Sequence, residues 1–459
     1  MTLPAQTLAH WCAELAAGRT SSRELTEQAL SAALTSSEAA ATCIAVHAAK
    51  ARATADAIDG LHAAGLPLPP LAGLPITIKD LFDEAGVTTR AGSRVLADAP
   101  PAVADSAVVQ RLRAAGAVIV ARTNMTEFAY SGLGLNPHYG TPRNPWDRGC
   151  DGGSGRIPGG SSSGAAVSVT DGMAAAAIGT DTGGSVRIPA ALCGLTGFKP
   201  TAHRVPTAGV LPLSTTLDSI GPLAHSVACC AWLDAVLSGS TPAALRPAAL
   251  AGLSLALPRT LVLDGMDATV SAAFDAACSA LSAAGVRLVD IDLPEFTDFA
   301  RIHQRGGLAA AEAYAWHAPL LVQHGTGYDP RVASRIRAGA AQTVAEYLAL
   351  RGERQRWITG VRQRLVDANA ELMLMPTVPV VAPPIALLRD SDSAYLQANA
   401  LILRNPALIN FFDGCALTLP SHAPGSAPVG LMLAAAGGQD ARVLAVGAGI
   451  EAVLARCRQ

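Results

Sequence analysis

The chain has 459 residues, half of them hydrophobic and 15% charged, so it can bury a large core and does not have the composition of a disordered protein. A formal net charge of −2 excludes the strongly basic field that draws a protein onto nucleic acid or anionic lipid. No uncharged apolar run reaches the ~18 residues needed to span a bilayer. The opening Met1 to Gln6 lacks the basic and then apolar segments of a secretory leader, so the expected setting is cytoplasmic, with neither nucleic acid nor membrane as partner.

Ser21-Ser22-Arg23-Glu24 supplies a capping box, and Ala-rich text predicts helix from there to about Ile58. Gly73-Leu74-Pro75 then leads into Ile76-Thr77-Ile78, a short β-branched strand ending at Lys79-Asp80. Ala107 to Ala115 is helical in pattern, Gly116 stops it, and Val118 to Ala121 reads as a strand, an alternation expected of an α/β sheet. Residues 149–164 hold seven glycines in sixteen positions, and the small, apolar stretch Ala165 to Ile178 predicts a tightly packed helix directly after them. Beyond Pro200, helices are expected at Ser226–Leu237, Val270–Ala284 and Ala341–Asn369, and strands at Leu253–Leu257, Val286–Ile291 and Leu372–Met375. No composition break or internal repeat divides the chain, so one large α/β domain over 1–459 is expected.

Nine scattered cysteines, without a C-x-x-C pair or a histidine at zinc spacing, read as free thiols rather than a metal site. Of 34 basic residues only Lys50, Lys79 and Lys199 are lysine. Arginine stays protonated, so a site that needs a neutral amine has to keep lysine. Lys79 lies directly after a buried-looking strand, where desolvation lowers a lysine pKa and makes a usable base, a structural role being the alternative. Lys50 reads as a chance survivor, Lys199 as a structural lysine held by hydrogen bonds.

Two serine clusters stand out, Pro158-Gly159-Gly160-Ser161-Ser162-Ser163-Gly164 and Gly179-Thr180-Asp181-Thr182-Gly183-Gly184-Ser185-Val186-Arg187-Ile188-Pro189. Glycines before a serine let backbone N–H groups converge near its hydroxyl, as an oxyanion hole requires, although Gly-Gly-Ser also serves in plain turns. Neither cluster carries the lysine that follows the last glycine of a phosphate-binding loop. Gly160-Ser161-Ser162-Ser163-Gly164 formally fits G-x-S-x-G with Ser162 central, but that elbow follows a hydrophobic strand and the residues ahead are Gly-, Arg- and Pro-rich. A Ser-His-Asp esterase reading would also need a histidine such as His203, His225, His303, His317, His324 or His422, none of which sits in a distinctive motif.

The segment Gly73 to Asp80, the Gly-Gly-Ser-Ser-Ser-Gly run and Gly179 to Ala190 together resemble the defining motifs of amidase signature enzymes, in order and in spacing. Ser161 stands 24 residues before Ser185, as the relay serine does in that family. Thr123 to Phe128, Asn144-Pro145-Trp146, Gly197 to Thr201, Leu217-Asp218 with Gly221-Pro222, Met375-Pro376-Thr377 and Pro428 to Leu431 agree as well. The resemblance covers about residues 10–225 and is looser afterwards. It implies a single domain with a central mixed, mostly parallel sheet covered by helices on both faces. The catalytic core would span about 65–225, and about 226–459 would complete the substrate pocket.

It further implies Ser185 as nucleophile, Ser161 as relay with a cis peptide bond before it, and Lys79 as neutral base, with the backbone N–H groups of Thr182, Gly183, Gly184 and Ser185 as oxyanion hole. Ser162 would support the relay, and Asp181 and Arg187 would pair to rigidify the nucleophile loop, direct substrate contact being the alternative. Ala129, Tyr130 and Ser131 would line the substrate pocket. No metal or organic cofactor is implied, and the partner is a small-molecule amide or carbamate bound by a monomer or homodimer. The apolar residues Tyr130, Leu133, Leu135, Met373, Ile409, Phe411 and Phe412 point to a hydrophobic or aryl substrate, or equally to core. Remaining alternatives are the glutaminase-type component of a tRNA-dependent amidotransferase, whose C-terminal pattern looks different, and a non-enzymatic binding protein on the same fold.

Overall fold

The computed structural model describes residues 2–457; Met1 and the Cys457 side chain, on which the leader and thiol readings partly rest, lie outside what it describes. Eleven strands form one sheet, in the order β1-β3-β2-β4-β6-β5-β10-β11-β9-β7-β8. They are β1 (Cys43–Val46), β2 (Pro75–Lys79), β3 (Val118–Thr123), β4 (Ala176–Asp181), β5 (Thr196–Lys199) and β6 (Ser219–Ala224), then β7 (Ser254–Pro258), β8 (Arg287–Ile291), β9 (Leu372–Pro376), β10 (Cys415–Pro420) and β11 (Gly430–Ala435). Every residue of β2, β3 and β4 is buried, which is why their text runs apolar instead of alternating: helices cover both faces of the sheet there.

The sheet is mixed, but its balance differs from the mostly parallel expectation. Parallel pairs occur on the two flanks, β2 with β3 and β4, and β7 with β8 and β9. The six remaining pairings, including the run from β4 through β6, β5, β10 and β11 to β9, are antiparallel. Parallel neighbours need a crossover between them, whereas the centre is built from the consecutive antiparallel pairs β5–β6 and β10–β11, joined across the chain by β5 and β10.

Two predicted helices prove shorter. The opening helix, capped by Ser21 with the full capping box, ends at Thr35, and β1 interrupts the helical text before a second long helix, Ala48–Ala63. The helix after the glycine-rich loop runs only over Ser163–Thr170, and Ala176–Ile178 belongs to β4. Alanines favour helix locally, but between β2 and β6 the strand pairing overrides that preference. The later elements lie within three residues of expectation: helices Val227–Ser238, Ala268–Ala283 and Val344–Asp367, with β7, β8 and β9.

Helix Ser163–Thr170 is buried from Ser163 to Val169 because its residues are small. A Cβ on Gly164 would stand 2.4 Å from the Thr42 carbonyl oxygen and 2.7 Å from the Asn124 nitrogen, so only glycine permits this approach to the sheet. Among the described residues no helix is long and apolar enough to cross a membrane.

Candidate active site

Strands β2 and β4 run parallel with Ile78 beside Ile178, so Lys79 and Thr180-Asp181 emerge together at their carboxyl ends, where ligand sites form in such sheets. Lys79 Nζ lies 2.7 Å from Ser161 Oγ and 2.9 Å from Thr180 Oγ1. Lys79 and Ser161 are both completely enclosed. Burial brings the Lys79 pKa down to about 7, against the weaker opposing fields of Asp181 and Asp218. Among the described residues no carboxylate comes within ion-pair distance of it. The peptide bond between Gly160 and Ser161 is cis.

Ser185 stands on the loop between β4 and helix Arg187–Cys193, nearly buried yet on the wall of a cavity of about 610 Å³. The Ser162 N–H donates to the Ser185 carbonyl at 3.3 Å, so the two serine loops lie directly against each other. Lys79 to Ser161 is the side-chain hydrogen bond that forms here; among the described residues the Ser185 hydroxyl makes none to either.

The loop that carries Ser185 is organised by Asp181. Its carboxylate accepts the N–H groups of Gly184 (2.8 Å) and Val186 (3.1 Å) and pairs with the fully buried Arg187 at 2.9 Å. Burial pushes the Asp181 carboxyl up, but Arg187, Lys199 and Asn410 outweigh it and hold the group well below the usual carboxylate range. The Gly184 N–H is therefore engaged by Asp181, which differs from the expected four-donor oxyanion hole and leaves Thr182, Gly183 and Ser185 as its candidate donors. Gly184 adopts φ +125°, and a Cβ there would lie 2.6 Å from Ile188 and Pro406 side-chain carbons. The Thr182 hydroxyl donates to Asp218, whose carboxyl burial pushes up to about 6.

A family model described as Amidase matches residues 24–444. The protein belongs to the amidase signature family. Accordingly it is a hydrolase acting on C–N bonds. It is 38% identical over 413 residues, 88% of this chain and 87% of the relative, to a 2-amino-5-chloromuconic acid deaminase of Comamonas testosteroni. It is 34% identical to AtzE, a 1-carboxybiuret hydrolase subunit of Pseudomonas sp. (strain ADP), over 94% of this chain and 95% of that one. It is also 34% identical to a glutamyl-tRNA(Gln) amidotransferase subunit of Chromohalobacter salexigens, over 96% and 95%, so the C-terminal departure expected from that subfamily does not interrupt the match. A crystal structure of an amidase superposes with a TM-score of 0.86 at 32% identity, covering 97% of this chain and 99% of that one.

The remaining expected residues of this amidase take the following places. Ser162 is enclosed, with its hydroxyl 3.4 Å from the Thr180 carbonyl and irregular chain ahead of it, not the strand an elbow requires. Ala129, Tyr130 and Ser131 line the cavity, following Phe128 and Ala129 in the left-handed region at φ 50° and 61°. Ser131 Oγ donates to Asn399 Oδ1 at 2.9 Å. Of the apolar candidates, Tyr130 and Phe411 reach the cavity; Leu133, Leu135, Met373, Ile409 and Phe412 are core. Lys199 donates to the carbonyls of Pro200 and Gly414, and Lys50 sits at the surface beside Glu84.

Sequence reading missed most of the cavity wall. Helix Asp392–Phe411 supplies Asn399, Leu403, Arg404 and Ala407, and helix Pro294–Ile302 supplies Phe296 and Phe299, with His303 just beyond it. The spacing 399, 403, 407, 411 along one helix face was a signal available in the text. Arg335 reaches in from helix Pro330–Arg337, donating to the Tyr130 carbonyl at 2.6 Å with its guanidinium 4.4 Å above the Tyr130 ring.

Proposed function

We propose that this amidase hydrolyses an amide-type C–N bond through an acyl-enzyme on Ser185, with Ser161 and Lys79 as its proton relay. The observation that carries the reading is the 2.7 Å contact between an enclosed, carboxylate-free lysine and Ser161. Neutral Lys79 accepts the Ser161 proton, Ser161 takes the Ser185 proton, and Ser185 Oγ attacks the carbonyl carbon. The developing oxyanion is received by the N–H groups of Thr182, Gly183 and Ser185. Collapse breaks the C–N bond, and Ser161 returns the proton to the departing nitrogen. Water then enters, gives a proton to the same relay and attacks the acyl carbon; the bond from Ser185 Oγ to the acyl group breaks, the relay returns the proton to Ser185, and the acid leaves.

The walls of Phe296, Phe299, Phe411 and Leu403 favour an apolar-bodied substrate, an aryl amide or aryl carbamate among them. Two relatives are named for other nitrogen compounds, a 2-amino-5-chloromuconic acid deaminase and a 1-carboxybiuret hydrolase subunit, which keeps the substrate class open to the screen. The reading is tested by a hydrolysis screen over anilides, primary amides, carbamates and esters, with Ser185→Ala and Ser162→Ala alongside. Ser185→Ala is expected to lose all turnover while keeping its fold; loss confined to Ser162→Ala would replace this reading with the elbow.

The match to an amidotransferase component over nearly the whole chain supports a second reading, a protein that works only within a complex. Turnover by the purified chain alone favours the first reading, and turnover only after a partner is added favours the second.

A further inference from the structure

The cavity in front of Ser185 has an unbalanced charge. Arg335 and Arg404 are on its wall, and no aspartate or glutamate is. His303, also on the wall, donates Nδ1–H to the Phe299 carbonyl at 2.8 Å; that contact favours the charged ring, but burial outweighs it, pushes the pKa down to about 4 and keeps the ring neutral near pH 7. Most arginines of this chain meet a carboxylate, as Arg187 does Asp181, but among the described residues neither cavity arginine has one within ion-pair distance. Arg335 is partly engaged by Tyr130. Arg404 donates through Nη2 to the Val262 carbonyl and through Nε to Asn405 Oδ1, which orients the guanidinium and leaves Nη1 uncommitted.

The position of Arg404 follows from its helix. Its neighbour Leu403, with Ala407, lies against the nucleophile loop, within 3.9 Å of where a Cβ on Gly183 would be. Arg404, the next residue on that helix, is half-buried and lines the same cavity as Ser185. Burial lowers the Arg404 pKa from its ordinary value against the weaker field of Asp264, and a bound carboxylate would offset that desolvation cost.

We infer that the substrate of this amidase carries a carboxylate on an apolar body, and that Arg404, reinforced by the charge of Arg335, is the specificity-determining residue that receives it. The inference rests on the Ser185 reading above and adds to it a class of substrate: a carboxylated amide in preference to a neutral or cationic one of equal size.

The test measures protection of the protein against covalent labelling by a fluorophosphonate, using benzoate, trans-cinnamate and adipate and their neutral isosteres benzamide, trans-cinnamamide and adipamide. In the wild type the carboxylates are expected to protect at concentrations about tenfold or more below the matched amides, the worth of one charge-assisted contact. That carboxylate-to-amide ratio should collapse towards one in Arg404→Gln, fall less in Arg335→Gln and partly return in Arg404→Lys. Using the ratio within each variant removes any change in labelling rate itself. Equal protection by carboxylates and amides, or a carboxylate preference that persists in both glutamine variants, would overturn the inference while leaving Ser185 as nucleophile. Absence of any labelling would instead remove the reading on which it rests.

Discussion

Among single side chains, Lys79 separates a lysine relay from a histidine-based one. With its pKa near 7, activity is expected to rise as pH passes through about 7 and to level off on the alkaline side, because only the neutral amine accepts a proton. Lys79→Arg should lose about 10²–10⁴ in kcat/KM, nearly as much as Lys79→Ala, since a guanidinium stays charged. Kinetics on one amide across pH 5–10 would check both; an active arginine variant would contradict the relay. The pair of Asp181 and Arg187 bears on stability instead. Arg187→Met leaves a buried carboxylate without its cation and is expected to cost about 3–5 kcal/mol, read from chemical denaturation. Because the Asp181 carboxyl is held below its ordinary pKa, the stability it contributes is present above about pH 4 and is lost as pH falls towards the lowered value.

Helix Ser163–Thr170 and the two serine loops depend on close backbone approach. Gly164→Ala places a methyl group 2.4 Å from the Thr42 carbonyl and should destabilise by about 1–3 kcal/mol or more, seen as a lower melting temperature with unchanged substrate preference in the remaining folded protein. Elements of this kind also show what the text made legible. That Lys79 meets Ser161 and that the Ser161 and Ser185 loops lie together was legible through the resemblance of their motifs to the amidase signature; a strand-end lysine and glycine-rich serine loops alone left structural roles open. β1 and the strand end of Ala165–Ile178 were not, since alanine-rich text favours helix until pairing partners from elsewhere in the chain are known. The engagement of the Gly184 N–H by Asp181 was equally hidden: it depends on loop geometry within six residues, not on residue type.

For the molecule as a whole, the single sheet matters because it joins the motif-rich first half to a second half that supplies the cavity walls. β5 and β10 pair across that divide, and Arg187 reaches Asn410 on helix Asp392–Phe411. The far wall was poorly legible because residues such as Arg335 and Arg404 come from helices whose apposition to Ser185 no local pattern encodes. The coupling predicts that Asn410→Ala, distant in sequence from every relay residue, loosens the Asp181–Arg187 network and lowers stability by about 1–3 kcal/mol, measured by thermal unfolding.

The most direct measurement is the site of covalent attack. After reaction with a fluorophosphonate, peptide mapping by tandem mass spectrometry should place the adduct on Ser185, with labelling abolished in Ser185→Ala and slowed by Lys79→Ala. An adduct on Ser162, or undiminished labelling of Ser185→Ala, would contradict the relay through Lys79, Ser161 and Ser185.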